Sequence, residues 1–206
     1  MPRAGVREQT AVLRANVDGL ADLIAKEAAG HAERACLVVL VGLPASGKSH
    51  LARLLAERVR GVVVASDALR RRLFIAPSYE ETESRAVFAL VHEVARRLLA
   101  RGCVVIVDAT NLRERDRAPL YALARDASAP LVIVLVVASD GAIRERLATR
   151  AARQSTADAS DADLAVYEMM RGRYEEPSRA YLTVDTSGDL AAAIDRVEEA
   201  IRRASA

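Results

Sequence analysis

Tryptophan is absent from the 206-residue sequence, phenylalanine occurs twice, and aromatic residues make up 3% of the chain. Such a chain lacks the stacking platforms on which extended single-stranded nucleic acid is held. The net charge is +2, so nonspecific attraction to a phosphate backbone is weak as well. Two cysteines cannot staple a disulfide framework, and no Cys/His spacing resembles a zinc site. No apolar run approaches the roughly 18 residues a membrane span needs. The N-terminus, MPRAGVREQT, leads into a charged amphipathic stretch rather than the apolar core of a signal peptide. Together these absences predict a cytoplasmic protein with no membrane association. Lysine is scarce too. Of 30 basic residues 28 are Arg, and the two lysines are Lys26 and Lys48. In a composition so biased toward Arg, a lysine points to a chemical requirement for one.

What is present is globular: 51% hydrophobic and 28% charged residues, enough chain for one domain with an appendage. Residues 8–29 carry Val12, Leu13, Val17, Leu20, Leu23 and Ile24 at helical spacing and end at Gly30. Residues 1–35 therefore read as an extra N-terminal helix or linker. It either packs on the domain's edge or docks to a fused or bound partner. From Cys36 to the end the pattern alternates strand and helix. Apolar runs at 36–41, 61–65, 103–107, 131–137 and 181–184 predict strands. Helical periodicity at 48–60, 67–74, 80–100, 113–127, 140–152, 161–175 and 188–203 fills the intervals. That alternation predicts an α/β domain over 36–206, a parallel sheet covered on both faces.

The first strand ends in Gly42-Leu43-Pro44-Ala45-Ser46-Gly47-Lys48-Ser49, the P-loop pattern G-x-x-x-x-G-K-[ST]. Glycines at 42 and 47 let the backbone curl so that successive N–H groups face phosphate oxygens, and the following helix adds its positive N-terminus. Lys48 supplies a compact charge for the β- and γ-phosphates, a shape the wide Arg fork does not imitate. The Ser49 hydroxyl suits Mg²⁺. His50 follows within the same nucleotide-binding segment, although its ring, like that of His92, is expected to be structural. Asp108 terminates the third strand, where an acidic residue near a P-loop holds the water shell of Mg²⁺. ATP and Mg²⁺ are the implied cofactors.

Three further features bear on what receives the phosphate. Asp67 and Arg70 stand three apart after the second strand, beside the strand ends where open α/β sheets bind ligands. A carboxylate there could take the proton of an attacking hydroxyl, and the arginine could grip an anion. Asp67 is equally placed to cap the helix that follows. Arg144, Arg146, Arg150 and Arg153 crowd one segment ahead of the polar stretch RQSTADAS. Arg146 and Arg150 share a helix face, where like charges repel unless an anion lies between them. A lid over about 144–160 that closes on phosphate accounts for both charges and loop; a solvated arginine face is the competing account.

The set GLPASGKS, SDALR, VDATNL and IRERLATR resembles the P-loop kinases related to the bacteriophage polynucleotide 5′-kinase. It also resembles predicted bacterial AAA-type ATP-binding kinases, with zeta-toxin-like relatives, especially closely. The resemblance spans about residues 36–180 and implies a five-stranded sheet ordered 2-3-1-4-5 with helices on both faces. It also implies roles: Asp67 as general base, Arg70 at the substrate, and Asp108 with Thr110 and Asn111 as a D-x-T-N element. Arg146 and Arg150 become lid arginines, Arg150 the phosphate contact. Ala45 stands where many relatives have Gly. The expected reaction is transfer of the γ-phosphate of ATP to a hydroxyl, on a polynucleotide 5′ end or on a small molecule such as a sugar nucleotide. Two other readings are a non-catalytic nucleotide-binding module that regulates a partner and, less suited to a chain of this length, a mechanical ATPase. The strand order carries a further expectation. Cys36 and Cys103 open neighbouring strands with a one-residue stagger, which puts their Cα atoms roughly 5–8 Å apart as reduced, buried thiols.

Overall fold

The computed structural model describes residues 19, 21–24, 35–75, 80–153 and 164–204, with the backbone alone at 150–153 and 164–165. Five parallel strands, β1 (Cys36–Val41), β2 (Val62–Ala65), β3 (Val104–Asp108), β4 (Leu131–Val137) and β5 (Leu182–Asp185), form one sheet. Their order is β2-β3-β1-β4-β5, as the resemblance to P-loop kinases implies. The helices are α1 (Lys48–Val59), α2 (Ser66–Leu73), α3 (Glu81–Ala100), α4 (Glu114–Asp126), α5 (Asp140–Arg153), α6 (Leu164–Arg171) and α7 (Ala191–Ala204).

The uninterrupted apolar run of β1 follows from its central place, because side chains alternate and both faces are covered. Leu37, Val39 and Val41 pack toward Val87, Leu90, Val91, Val94 and Leu98 of α3 and Leu120 of α4. Cys36, Val38 and Leu40 pack toward Leu51 and Leu55 of α1 and Ile194, Val197 and Ile201 of α7. All six β1 residues are fully buried. Each such aliphatic side chain contributes about 1.5–3 kcal/mol. The result is a rigid floor whose strand ends all point one way.

Two helices differ from expectation. The one read over 161–175 is described from Leu164 and stops at Arg171. Pro177 disfavours helical backbone just before it. The segment after α6 is held by α4 instead: the fully buried Arg117 guanidinium donates to the Glu175 and Glu176 carbonyls at 2.9 and 3.2 Å. The last helix begins at Ala191 rather than 188, where the Asp189 carboxylate accepts the Ala191 N–H at 3.0 Å. Of the N-terminal helix, Gly19 and Ala21–Ile24 are described and are helical. Ala21 is buried in the core, Ile24 packs against it, and Asp22 pairs with Arg97 of α3. The remainder of residues 1–34 lies outside the described residues.

Cys36 pairs with Val104 across β1 and β3, and the Cys36 N–H donates to the Cys103 carbonyl at 3.4 Å. The one-residue stagger therefore holds, and both cysteines are buried and outside any disulfide. It also turns them apart: Cys36 packs in one face's core and Cys103 in the other's. Burial pushes the Cys103 thiol pKa up. Neither thiol is expected to react with Ellman's reagent within minutes in the native protein, whereas two per chain should react after unfolding. An intramolecular disulfide formed by mild oxidation of the folded protein would contradict the register.

Candidate functional site

The P-loop leaves β1 at Val41 and enters α1 at Lys48. A Cβ at Gly42 would lie 2.4 Å from the Val136 carbonyl oxygen, so no larger residue fits between the loop and β4. Gly47 has φ 91°, and a Cβ there would meet the Thr186 side chain at 2.8–3.0 Å. Both glycines are therefore required by space, and Gly47 by conformation too. Ala45 takes the left-handed region at φ 60°, where a non-glycine residue is strained by roughly 1 kcal/mol. The first turn of α1 has no acidic residue and no side-chain cap, which leaves its N–H groups open to an anion. Lys48 donates from Nζ to the Leu43 carbonyl at 2.7 Å, and Ser46 Oγ is buried without a hydrogen-bond partner. Ser49 and His50 are exposed on the same turn.

The loop after β3 is fastened to this cradle. The Gly42 N–H donates to the Thr110 carbonyl at 3.0 Å. Asn111, at φ 46°, donates from Nδ2 to the Leu40 carbonyl at 2.7 Å, while its buried Oδ1 has no partner. Asp108 closes β3 directly opposite Ala65 of β2, and it is buried. In the first turn of α2 stands Asp67. It does not cap: no side-chain cap bond closes the start of α2. Burial holds its carboxyl above the ordinary carboxylate range, and the neighbouring Asp108 charge adds to this. Lys48, Arg70 and Arg71 oppose it. Asp67, Asp108 and Lys48 therefore share one electrostatic site at the carboxyl ends of β1–β3. Arg70 is buried in an ion pair with Glu83 of α3 and donates to Ser84 Oγ at 3.3 Å.

On the other side of the loop, Arg146 of α5 donates to the Ala45 carbonyl at 3.1 Å and to Thr186 Oγ1 and its carbonyl at 2.9 and 2.7 Å. Ala45 packs with Ile143, Leu147 and Tyr167, joined by Leu43 and Ala138, so the start of α5 lies against the loop. Arg144 is exposed near Glu168. Arg150 and Arg153 are on α5, their side chains outside the described residues, as are residues 154–160 of the expected lid.

Among the described residues no group of three or more His, Cys, Asp or Glu could hold a metal ion. Ser49 and Asp108 fit Mg²⁺ in the manner in which that ion usually binds, through one or two protein oxygens and the phosphates of a substrate. No helix among the described residues is long and apolar enough to cross a membrane. Sequence reasoning missed Thr186, Glu83 and Arg117. Thr186 alone carried a signal, its place just past a strand's carboxyl end. Glu83 looks like any acid in a helix's first turn, and nothing marks Arg117 among 28 arginines.

A family described as an AAA domain matches residues 37–177. The mouse protein KTI12 homolog is 34% identical over 172 residues, 76% of this chain and 47% of that protein. The chain thus spans about half the length of the curated relatives it matches. The crystal structure of Chaetomium thermophilum Kti12 in complex with ADP-AlF3 aligns with TM-score 0.67 and 26% identity, over 82% of this chain and 99% of that one. A putative kinase from Chloroflexus aurantiacus aligns with TM-score 0.67 at 21% identity, over 84% and 99% of the two chains. The Mycobacterium tuberculosis APS kinase CysC in complex with AMPPNP and APS gives 0.63 at 19%, over 82% and 98%. The fold is that of the P-loop kinases.

The electrostatics of Asp67 make a stability prediction. A carboxyl whose pKa is raised by folding binds its proton more tightly in the native state, so stability falls as pH rises from the unfolded to the folded pKa. At pH 7 the ionised side chain is a net cost. Asp67→Asn should therefore melt higher than the parent at pH 7, and the gap should close as the parent's Asp67 protonates in acid. A variant that melts lower at every pH would give Asp67 a structural bond instead.

Proposed function

The chain belongs to the AAA domain family, and from that premise we infer that it is an ATP-dependent kinase that phosphorylates a hydroxyl group. The observation that carries this reading is Asp67: a half-buried carboxylate with no capping role, within electrostatic reach of Lys48 and Asp108. A module that binds nucleotide without chemistry has no need to hold a charge there at a cost in stability. Structures of the same fold in complex with ADP-AlF3 and with AMPPNP support the nucleotide.

In this reading residues 42–49 with His50 cradle the phosphates of ATP, and Lys48 exchanges the Leu43 carbonyl for the β- and γ-phosphates. Ser49, and Asp108 through water, would hold Mg²⁺, which would supply charge that neutralises the phosphates. Asp67 takes the proton as the acceptor oxygen attacks the γ-phosphorus. The bond from phosphorus to the bridging oxygen breaks, and ADP leaves. A carboxyl pKa raised toward neutrality makes a better base. Arg150 would meet the transferring phosphoryl group and Arg146 would serve the nucleotide side, while Arg70, one turn from Asp67, would reach an acceptor only by leaving Glu83. The acceptor is a 5′-OH end, as the polynucleotide kinase resemblance suggests, or a small molecule. Low net charge and few aromatics suit a protein that touches only the end of a strand.

The second reading is a nucleotide-binding module that regulates a fused or docked partner. Two observations favour it: Arg70 is engaged by Glu83, and the curated relatives are KTI12 homologues about twice the chain's span. Radiolabelled ATP offered with 5′-OH DNA, 5′-OH RNA, nucleosides and sugars separates the two. The parent should label one acceptor class, and Lys48→Ala should abolish labelling while remaining folded. Asp67→Asn should keep ATP affinity within about threefold and lose transfer roughly 10²–10⁴-fold. Full transfer by Asp67→Asn moves the base elsewhere; tight ATP binding with no acceptor labelled by the parent favours the regulatory module.

A further inference from the structure

A loop that offers its N–H groups to phosphate turns carbonyls toward its outer wall, and buried carbonyls need donors. Here the wall consists of Thr186, the residue after β5, and Arg146. Thr186 is buried at 6% exposure and spends its hydroxyl twice: it donates to the Ser46 carbonyl at 2.7 Å and accepts from Arg146 at 2.9 Å. Arg146 takes the adjacent Ala45 carbonyl at 3.1 Å. The Thr186 side chain fills the space that the missing Cβ of Gly47 leaves, at 2.8–3.0 Å. Three consecutive loop residues, Ala45, Ser46 and Gly47, are thus shaped from outside by one threonine and one arginine. The threonine is fixed in turn, since its N–H donates to the Val137 carbonyl at 2.9 Å.

We propose that Thr186 is a positioning residue for the nucleotide: with Arg146 as its partner, it holds the 45–47 arc in the curvature that phosphate binding requires. The inference rests on the nucleotide-binding reading of the loop. It places the action of Arg146 on the backbone of the cradle, and it couples the end of β5 to the start of α5 through that backbone. No other residue type supplies the same set. Valine keeps the shape and loses both hydrogen bonds; serine keeps both bonds and loses the methyl group that packs on Gly47.

The test is ATP affinity in the presence of Mg²⁺, measured by titration on the full chain, with thermal unfolding alongside. Thr186→Val should weaken ATP about tenfold or more, because the Ser46 carbonyl loses its buried donor. Thr186→Ser should stay within about threefold of the parent. Arg146→Met should weaken ATP comparably, and the double variant should lose less than the product of the two single losses, since both act on the same arc. Hydrogen exchange at the Ser46 and Gly47 amides of the nucleotide-free protein should speed up in Thr186→Val and not in Thr186→Ser. If Thr186→Val fails to fold, Thr186→Ser and Arg146→Met carry the same test. A parent that binds ATP together with Thr186→Val and Arg146→Met variants that bind it equally well overturns the inference and leaves the nucleotide reading standing. A parent that binds no ATP overturns both.

Discussion

A backbone bent to present N–H groups to an anion must find partners for the carbonyls it turns the other way. The arrangement around residues 42–49 follows from that constraint. The cradle is tied at its entry by the Gly42 N–H to the Thr110 carbonyl, and Lys48 closes it on the Leu43 carbonyl. Its middle is held from outside by Thr186 and Arg146. The two glycines stand where β4 on one side and Thr186 on the other leave no room for a side chain. A rigid sheet makes this workable, because the anchors come from the ends of β3, β4 and β5, whose relative positions the two-sided core fixes.

The same strand ends gather charge. Asp108 lies close enough to oppose ionisation of Asp67, and Lys48, Arg70 and Arg71 only partly offset the burial of Asp67. A fold selected for stability alone would neutralise such a group, and the site instead holds it between cations that also suit phosphate. Arg70 shows the opposite economy. Its pairing with Glu83 ties α2 to α3 and fixes the turn on which Asp67 stands.

The elements legible in the sequence were those with a single physical cause. β1 and β4 appear in the sequence at their observed boundaries, since burial on both faces demands unbroken apolar runs. The P-loop was legible because its residue spacing is specific, and Asp108 because it ends an apolar strand. The stagger of Cys36 and Cys103 followed from strand order. Strand alternation equally implies that this stagger turns the thiols to opposite faces. What escaped depends on contacts between distant segments. Arg117 is separated by 58 positions from the Glu175 carbonyl it binds, and no local pattern announces such a bond. Helical periodicity placed Arg146 and Arg150 on one face of α5 but could not say that Arg146 meets the Ala45 carbonyl 101 positions away. The expected helix over 161–175 ran too long for the same reason, since Arg117 of α4 holds the segment that follows Arg171 by the Glu175 and Glu176 carbonyls.

The central claim is that the backbone of residues 42–49 recognises phosphate. Amide chemical shifts of the ¹⁵N-labelled protein test it most directly, with ATP and Mg²⁺ added in one titration and adenosine in the other. The account predicts that the amides of Ala45, Ser46, Gly47, Lys48 and Ser49 move on addition of ATP and stay in place with adenosine. Shifts of equal size with adenosine, or none with ATP, would contradict it.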